Sequence, residues 1–176
     1  MDLFSSAKPE QLWHYLAKIA QDSGHPARVI SLASVDQKGA AQVRSVILRE
    51  VEPWFLSVYT DSRSPKVAQL RQDPRAEILI WDPDPRWQLR FSAQAEVVIG
   101  PETDRLWQRI KGTSAASDYL APQAPGAPLS SETEALNEPA IAILRFKVLE
   151  VDWLELNRSG HRRQRLTPEG VEALVP

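Results

Sequence analysis

Apolar and polar positions along this chain alternate between helical and strand periodicities. Between Pro9 and Gln21, apolar residues recur at helical spacing, which predicts an amphipathic helix that ends near Gly24. The same reasoning predicts helices over residues 64–71 and 101–111. Segments rich in β-branched and apolar residues, separated by turn residues, predict strands over residues 27–35, 42–51, 54–60, 77–81, 87–99, 139–156 and 161–166.

The order of these elements indicates the fold class. Helices are inserted at intervals among six or seven strands with short turns, a pattern typical of an antiparallel barrel with peripheral helices. The chain has no G-x-G-x-x-G or G-x-x-x-x-G-K-[ST] motif, which argues against a dinucleotide-binding fold and a P-loop. We therefore predict a mainly β (α+β) fold in a single domain over residues 1–176, with a long Pro-rich loop over residues 122–138.

Composition narrows the classes of function. With 21 basic and 23 acidic residues, the net charge of -2 favours neither general nucleic-acid binding nor attachment to a membrane surface. The absence of cysteine excludes disulfides, thiolate metal sites and cysteine nucleophiles, and His14 and His25 have no partner at metal-binding spacing. The N-terminus does not resemble a secretory signal, and no apolar run reaches the roughly 20 residues that span a bilayer. We expect a soluble, cytoplasmic protein without a bound metal.

A phosphate site is predicted where two strands precede the second helix. Ser64 is a favourable N-cap residue and Pro65 suits the first helical position, so a helix begins there. Lys66 in the first turn, Arg44 on a strand and free backbone N–H groups would form a cradle for a dianionic phosphate. A capped surface helix with solvated charges explains the same residues, and the pattern alone leaves both interpretations open.

Several motifs along the chain occur in an order that indicates a family. They are RSVILR from Arg44, VYTD from Val58, Ser64 with Lys66, Gln88 within RWQLR, Trp153, and a histidine-x-arginine at His161 and Arg163. Together they resemble the pyridoxamine 5'-phosphate oxidase family of FMN-binding split barrels, with matching spacing over residues 29–98. The resemblance implies an antiparallel split β-barrel with peripheral helices, FMN as the cofactor, and a homodimer with FMN at the subunit interface.

The resemblance also implies a role for each matched residue. The FMN phosphate would be held by Arg44, Ser64 and Lys66. The family has a phosphate-binding arginine where this chain has Pro65, and Arg63 would replace it. Val46 and Ile47 would line the flavin through their backbone, next to Ser45, and Tyr59 and Thr60 would contact its ribityl and phosphate end. The flavin ring would be approached by Gln88, Trp153 and Arg163. Arg49 and His161 would contact the substrate, and His161 is the candidate catalytic residue.

Three of these residues have a plainer interpretation from the pattern alone. Gln88 fits a solvent-facing strand position, and Trp153 fits a core position because it follows an apolar run. Arg163 fits a solvated basic edge strand.

The departures from the family concern the substrate. Where this chain has Arg49 the oxidases carry a lysine, and where it has Ser159 they carry an arginine. The oxidases also carry a tyrosine, an arginine and a serine in the segment that corresponds to residues 107–117, and this pattern is not recognisable here. The sequence thus predicts a flavin-dependent oxidoreductase that acts on an unidentified small molecule and binds neither nucleic acid nor a membrane. The alternatives are a true pyridoxamine or pyridoxine 5'-phosphate oxidase, and a non-catalytic module that binds flavin, deazaflavin or haem.

Overall fold

The computed structural model describes residues 9–129 and 136–176 of the chain. Within these ranges the helices are α1 (Pro9–Gln21), α2 (Pro65–Gln72) and α3 (Pro101–Ile110), with short 3-10 helices at Pro26–Arg28 and Ser114–Tyr119. The strands in the same ranges are β1 (Val29–Val35), β2 (Ala41–Glu52), β3 (Phe55–Asp61), β4 (Arg75–Asp82), β5 (Trp87–Val98), β6 (Ile141–Glu155), β7 (Arg162–Thr167) and β8 (Gly170–Leu174).

The strands form one antiparallel sheet that closes into a barrel. The order is β3-β2-β1-β4-β5-β6-β7-β8, and β6 also pairs with β3, which closes the ring. Residues 141–147 of β6 pair with β3, whereas residues 151–155 pair with β7, which lies outside the ring together with β8. Because β6 changes partners along its length, the barrel is split on this side.

The core lies inside the barrel because the strands alternate buried and exposed side chains. β4 alternates strictly, so that Ile80 points inward and Trp81 points outward. Helix α1 packs its apolar stripe against the same core, where Leu16 is fully buried. Its Tyr15 hydroxyl donates to Asp82 Oδ2 at 2.5 Å, which ties the helix to the end of β4.

A second, smaller apolar cluster lies on the outer face of the barrel. There, α3 and the second 3-10 helix cover β3 and β6 through Leu106 and Tyr119, which pack on Ile141 and Ile143. Tyr59 of β3 lies at the margin of this cluster. The cluster therefore places the second 3-10 helix next to the strands that carry the predicted site.

The predicted split barrel with peripheral helices is confirmed, and α1 has its predicted bounds. The described sheet has 8 strands, more than the six or seven predicted, because β8 carries mostly exposed residues without an apolar alternation that could reveal it. Of the predicted loop over residues 122–138, residues 130–135 lie outside the described residues, and the rest has turns and bends only. No helix in the described part of the chain is long and apolar enough to cross a membrane. The cytoplasmic location stays a prediction.

Candidate functional site

Arg44 on β2 is held in place by neutral acceptors. Its guanidinium donates to the Leu32 carbonyl at 3.2 Å, to the Ser34 hydroxyl at 2.7 Å and to Gln69 Oε1 at 2.8 Å. Burial lowers the pKa of Arg44 from its ordinary value, although an arginine still remains protonated at neutral pH. These hydrogen bonds orient the positive charge without neutralising it.

Lys66, in the first turn of α2, lies beside Arg44. Its Nζ donates to Thr60 Oγ1 at 3.0 Å. The pKa of Lys66 is lowered, first by burial and then by the positive charge of Arg44, while Asp61 opposes the shift. Two half-buried cations that disfavour each other's charge gain stability from an anion placed between them.

Ser64 takes the N-cap position of α2, as the sequence predicts, but its side chain makes no capping hydrogen bond. Its Oγ is instead 3.4 Å from Thr60 Oγ1, and the residue is 1% exposed. The helix therefore begins without a side-chain cap, and the positive end of its dipole lies next to Lys66. We call Arg44, Thr60, Ser64 and Lys66 the cradle.

β2 and β3 separate next to the cradle. Their ladder ends at the pair Leu48–Val58, beyond a bulge. Val46 and Ile47 remain paired with β1 on their other side. In the described residues, the ladder between β2 and β3 thus does not extend to Val46 and Ile47, and we call this divergence of the two strands the gap beside the cradle. Ser45 and Ile47 direct their side chains to the outer face, and Val46 is 8% exposed and points inward.

Arg63, which the resemblance places on the phosphate, makes its described contacts with other parts of the protein. Its guanidinium donates to both carboxylate oxygens of Asp61, at 3.0 and 2.6 Å. It also donates to the carbonyls of Ala121, Pro122 and Gln123, at 2.8, 3.2 and 3.4 Å. These contacts engage all three guanidinium nitrogens, and none of the described contacts of Arg63 is with a cradle residue. The Asp-x-Arg spacing was the signal in the sequence that could have indicated this pair.

Tyr59 and Arg49 lie on the outer face of the barrel, next to the smaller apolar cluster. The Tyr59 hydroxyl donates to Glu50 Oε1 at 2.5 Å, and the Arg49 guanidinium carbon is 5.8 Å from the centre of the Tyr59 ring. Burial, aided by Glu50, raises the pKa of Tyr59. Burial also raises the pKa of Tyr119, and a hydrogen bond with Arg49 opposes that shift. Sequence reasoning missed Tyr119, because it lies in a segment without a recognisable motif.

Gln88 and Arg163 form a separate group. Gln88 and Arg163 both pair with Leu154, on either side of β6, so the three side chains share the outer face of the sheet. Arg163 donates to both oxygens of Asp152, at 2.9 and 2.6 Å. No hydrogen bond or ion pair among the described residues joins Gln88 or Arg163 to the cradle.

Trp153 lies in the core, and His161 lies in an exposed turn. Trp153 is 1% exposed, and its ring centre is 4.6 Å from that of Trp87 in an edge-on contact. This is the core position that its apolar run allows, and it leaves the side chain no exposed face for a ligand. His161 is exposed, and its Nδ1 accepts the Asn157 backbone N–H at 3.2 Å in the turn between β6 and β7.

The outer face of β2, β1 and β4 carries exposed apolar side chains. Val43 on β2, Val29 on β1 and Trp81 on β4 are 69%, 53% and 44% exposed. These three strands are neighbours in the order β2-β1-β4, and Val43 lies four residues along β2 from Ile47, the residue opposite Val29. Exposed apolar side chains are common in interaction surfaces, and we call this surface the β2-β1-β4 face.

A family model and curated relatives match this chain. The model of the pyridoxamine 5'-phosphate oxidase FMN-binding domain matches residues 10–99. The pyridoxine/pyridoxamine 5'-phosphate oxidase of Anaeromyxobacter dehalogenans is 27% identical over 137 residues, which cover 76% of this chain and 68% of the relative. The oxidase of the same name from Cereibacter sphaeroides is 27% identical over 132 residues, 75% of this chain and 65% of the relative. The matched part thus spans about two thirds of the length of these relatives.

Solved structures have the same fold. A pyridoxamine 5'-phosphate oxidase-related, FMN-binding protein from Nostoc punctiforme has a TM-score of 0.73 and 25% identity, over 95% of this chain and 96% of that one. PhzG from Burkholderia lata, solved with tetrahydrophenazine-1-carboxylic acid, also has a TM-score of 0.73, with 19% identity over 95% and 90% of the two chains. A haem-binding protein from Mycobacterium smegmatis has a TM-score of 0.57 and 18% identity, over 87% of this chain and 57% of that one. The last two likenesses concern the fold alone.

Proposed function

This chain belongs to the pyridoxamine 5'-phosphate oxidase FMN-binding domain family, and we propose that it is an FMN-binding flavoprotein that acts as an oxidoreductase on a small molecule. One observation carries the proposal. Two half-buried cations, Arg44 and Lys66, converge at a helix start, where their described hydrogen bonds go to neutral acceptors. A site of this kind is suited to a phosphate with nearly two negative charges.

The cradle would hold the phosphate end of FMN. Arg44 offers a guanidinium already oriented by Ser34 and Gln69, and Lys66 offers an ammonium fixed by Thr60. A phosphate bound there would stabilise the charged form of Lys66, which burial and Arg44 disfavour in the ligand-free chain. The Ser64 hydroxyl supplies a further hydrogen bond at the uncapped start of α2.

The gap between β2 and β3 would receive the rest of the cofactor. Because neighbouring residues of a strand direct their backbone groups to opposite edges, one of Val46 and Ile47 presents its N–H and C=O on the side without a strand partner, and these groups can fix the position of a polar heterocycle. FMN, when bound, supplies the electron-transfer chemistry. The residues of this chain bind the cofactor, orient it and limit the access of water to it.

We propose that a second copy of the chain completes the site. Gln88 and Arg163, whose amide and guanidinium groups suit the pyrimidine edge of a flavin, do not contact the cradle of their own chain. The β2-β1-β4 face offers exposed Val29, Val43 and Trp81 for a contact between copies. Gln88 is paired with Trp81, so the Gln88 group borders this face, and in the proposed dimer it would approach the cradle of the partner.

The substrate differs from that of a true pyridoxamine phosphate oxidase in this proposal. Arg49 stands where the oxidases carry a lysine, and Ser159 stands where they carry an arginine that contacts the substrate. Arg49 is instead held between Tyr59 and Tyr119. Arg49 keeps the positive charge of that position, which supports an anionic group on the substrate. Its planar guanidinium favours a contact geometry different from that of a lysine ammonium.

The proposal is tested by identifying the group that the purified protein carries. The absorbance of an oxidised flavin, together with the mass of FMN released on denaturation, would support it. A Soret band would favour haem instead, which is one of the alternatives that the sequence leaves open. A protein that carries neither group and takes up no added FMN would contradict the proposal.

A further inference from the structure

Asp61, at the end of β3, is a buried carboxylate next to the cradle. The residue is 5% exposed, and its charge acts on Lys66. In a partly buried site, a carboxylate repels a neighbouring phosphate unless a cation neutralises it. The cradle therefore needs a partner for Asp61 that leaves Arg44 and Lys66 available.

Arg63 is that partner. Asp61 Oδ1 accepts from the backbone N–H of Arg63 at 2.7 Å and from Nε at 3.0 Å, and Oδ2 accepts from Nη2 at 2.6 Å. This bidentate pair also raises the pKa of Arg63. The pair closes the short turn between β3 and α2, which ends at Ser64 and leads directly into the first turn of α2 with Lys66.

The same guanidinium holds a second part of the chain against this turn. It donates to the carbonyls of residues 121, 122 and 123, and Gly126 lies against the first residue of α2. Gly126 has a φ of +84°, and a methyl group added to it would be 3.5 Å from Pro65 Cγ. We call residues 121–126 the bracing segment.

We propose that Arg63 is a positioning residue for the phosphate site, which compensates the charge of Asp61 and fastens the bracing segment to the turn that precedes α2. This inference rests on the proposed binding of the FMN phosphate at the cradle. Arg63 acts on the phosphate through Asp61 and the turn, without touching it. Loss of Arg63 leaves an uncompensated negative charge beside the phosphate and releases the bracing segment.

The chain contains a matched comparison for Arg63. Arg75 binds Asp73 with the same spacing, through Nε to Oδ1 at 2.9 Å and Nη2 to Oδ2 at 2.6 Å. The described hydrogen bonds of the Arg75 side chain all go to Asp73, and the Arg75 side chain is 79% exposed. Arg75→Ala thus removes an equivalent local pair without disturbing another segment.

The test is equilibrium titration of the ligand-free full chain with FMN and with riboflavin, which lacks the phosphate. Arg63→Ala should weaken FMN binding by about ten-fold or more and leave riboflavin binding within about two-fold of wild type, because the added repulsion acts on the phosphate. Adding Asp61→Asn to Arg63→Ala should restore most of the FMN affinity, since the uncompensated charge is gone. Arg75→Ala should change neither affinity.

Hydrogen exchange of the ligand-free proteins gives a second measurement. Exchange in residues 121–126 should become faster in Arg63→Ala and stay unchanged in Arg75→Ala. If Arg63→Ala does not fold, Arg63→Lys replaces it: the charge remains, so FMN affinity should fall less than about ten-fold, while exchange in the bracing segment still rises.

Three results overturn the inference: unchanged FMN affinity in Arg63→Ala, equal losses for FMN and riboflavin, or no recovery with Asp61→Asn. In Arg63→Lys, an unchanged exchange rate in the bracing segment overturns it as well. Wild-type protein that binds no FMN contradicts the proposed function, and the phosphate role of Arg63 with it. Wild-type binding combined with an unaffected Arg63→Ala contradicts this inference alone.

Discussion

Lys66→Met removes one positive charge from the cradle and retains most of the apolar side chain. A hydrogen bond to a charged group contributes roughly 1.5–3 kcal/mol, which corresponds to a loss of about ten- to a hundred-fold in FMN affinity. We expect the lower part of this range. Burial and Arg44 already disfavour the charged form of Lys66 in the ligand-free chain, so part of the binding free energy offsets the cost of keeping Lys66 protonated.

Calorimetric titration of ligand-free protein with FMN, at neutral pH and fixed low salt, measures this loss. Arg71→Met is the matched control, because Arg71 lies in the last turn of the same helix and is exposed. The control should bind FMN like wild type, and riboflavin binding should be unchanged in both variants. Equal FMN affinity in Lys66→Met and wild type, or equal losses in Lys66→Met and Arg71→Met, would refute the assignment of Lys66 to the phosphate.

Because the pKa of Lys66 is lower in the folded chain than in the unfolded chain, the free energy of unfolding of the ligand-free protein should rise as the pH increases through that lowered pKa. Denaturant unfolding measures this free energy, and Lys66→Met should lack the rise. Trp153→Ala should lower the free energy of unfolding of ligand-free protein by about 3–5 kcal/mol, as for a core aromatic residue, and a loss under about 1 kcal/mol would contradict the core position of Trp153. Trp81→Glu on the β2-β1-β4 face should dissociate the dimer and release flavin together, as measured by light scattering and flavin absorbance on one sample; Val171→Glu on β8 is the control, and a Trp81→Glu dimer with full FMN content would exclude this face. The FMN-loaded protein should oxidise pyridoxine 5'-phosphate well below about 1 s⁻¹, and faster turnover would restore the vitamin oxidase interpretation.

The parts of the fold with strong local signals could be predicted from the sequence. Helix α1 has a complete apolar stripe and a clear end, and the strands of the barrel have buried faces that their composition reveals. β8 was not predicted because it is exposed on both faces and is defined by its pairing with β7. The second 3-10 helix was not predicted because its two buried residues, Ala116 and Tyr119, are too few to show a period.

The candidate site could be predicted only in part, since the sequence supplies residue types but not their partners. Arg44, Ser64 and Lys66 converge because a strand, a turn and a helix start follow one another closely in the chain. Arg63 looks equally suitable for a phosphate, yet its charge is taken by Asp61, and its contacts with residues 121–123 cross almost sixty positions of sequence. Trp153 shows the same limit, because only the packed structure distinguishes an indole in the core from one in a binding site.

The crystal structure of the FMN-loaded protein tests the central claim most directly. The account predicts phosphate oxygens within about 3.2 Å of the Arg44 guanidinium and of Lys66 Nζ, with the flavin in the gap between β2 and β3. Arg63 should still bind Asp61 in that structure. A flavin phosphate bound elsewhere on the chain, or one contacted by Arg63 while Arg44 and Lys66 remain apart from it, would contradict the account.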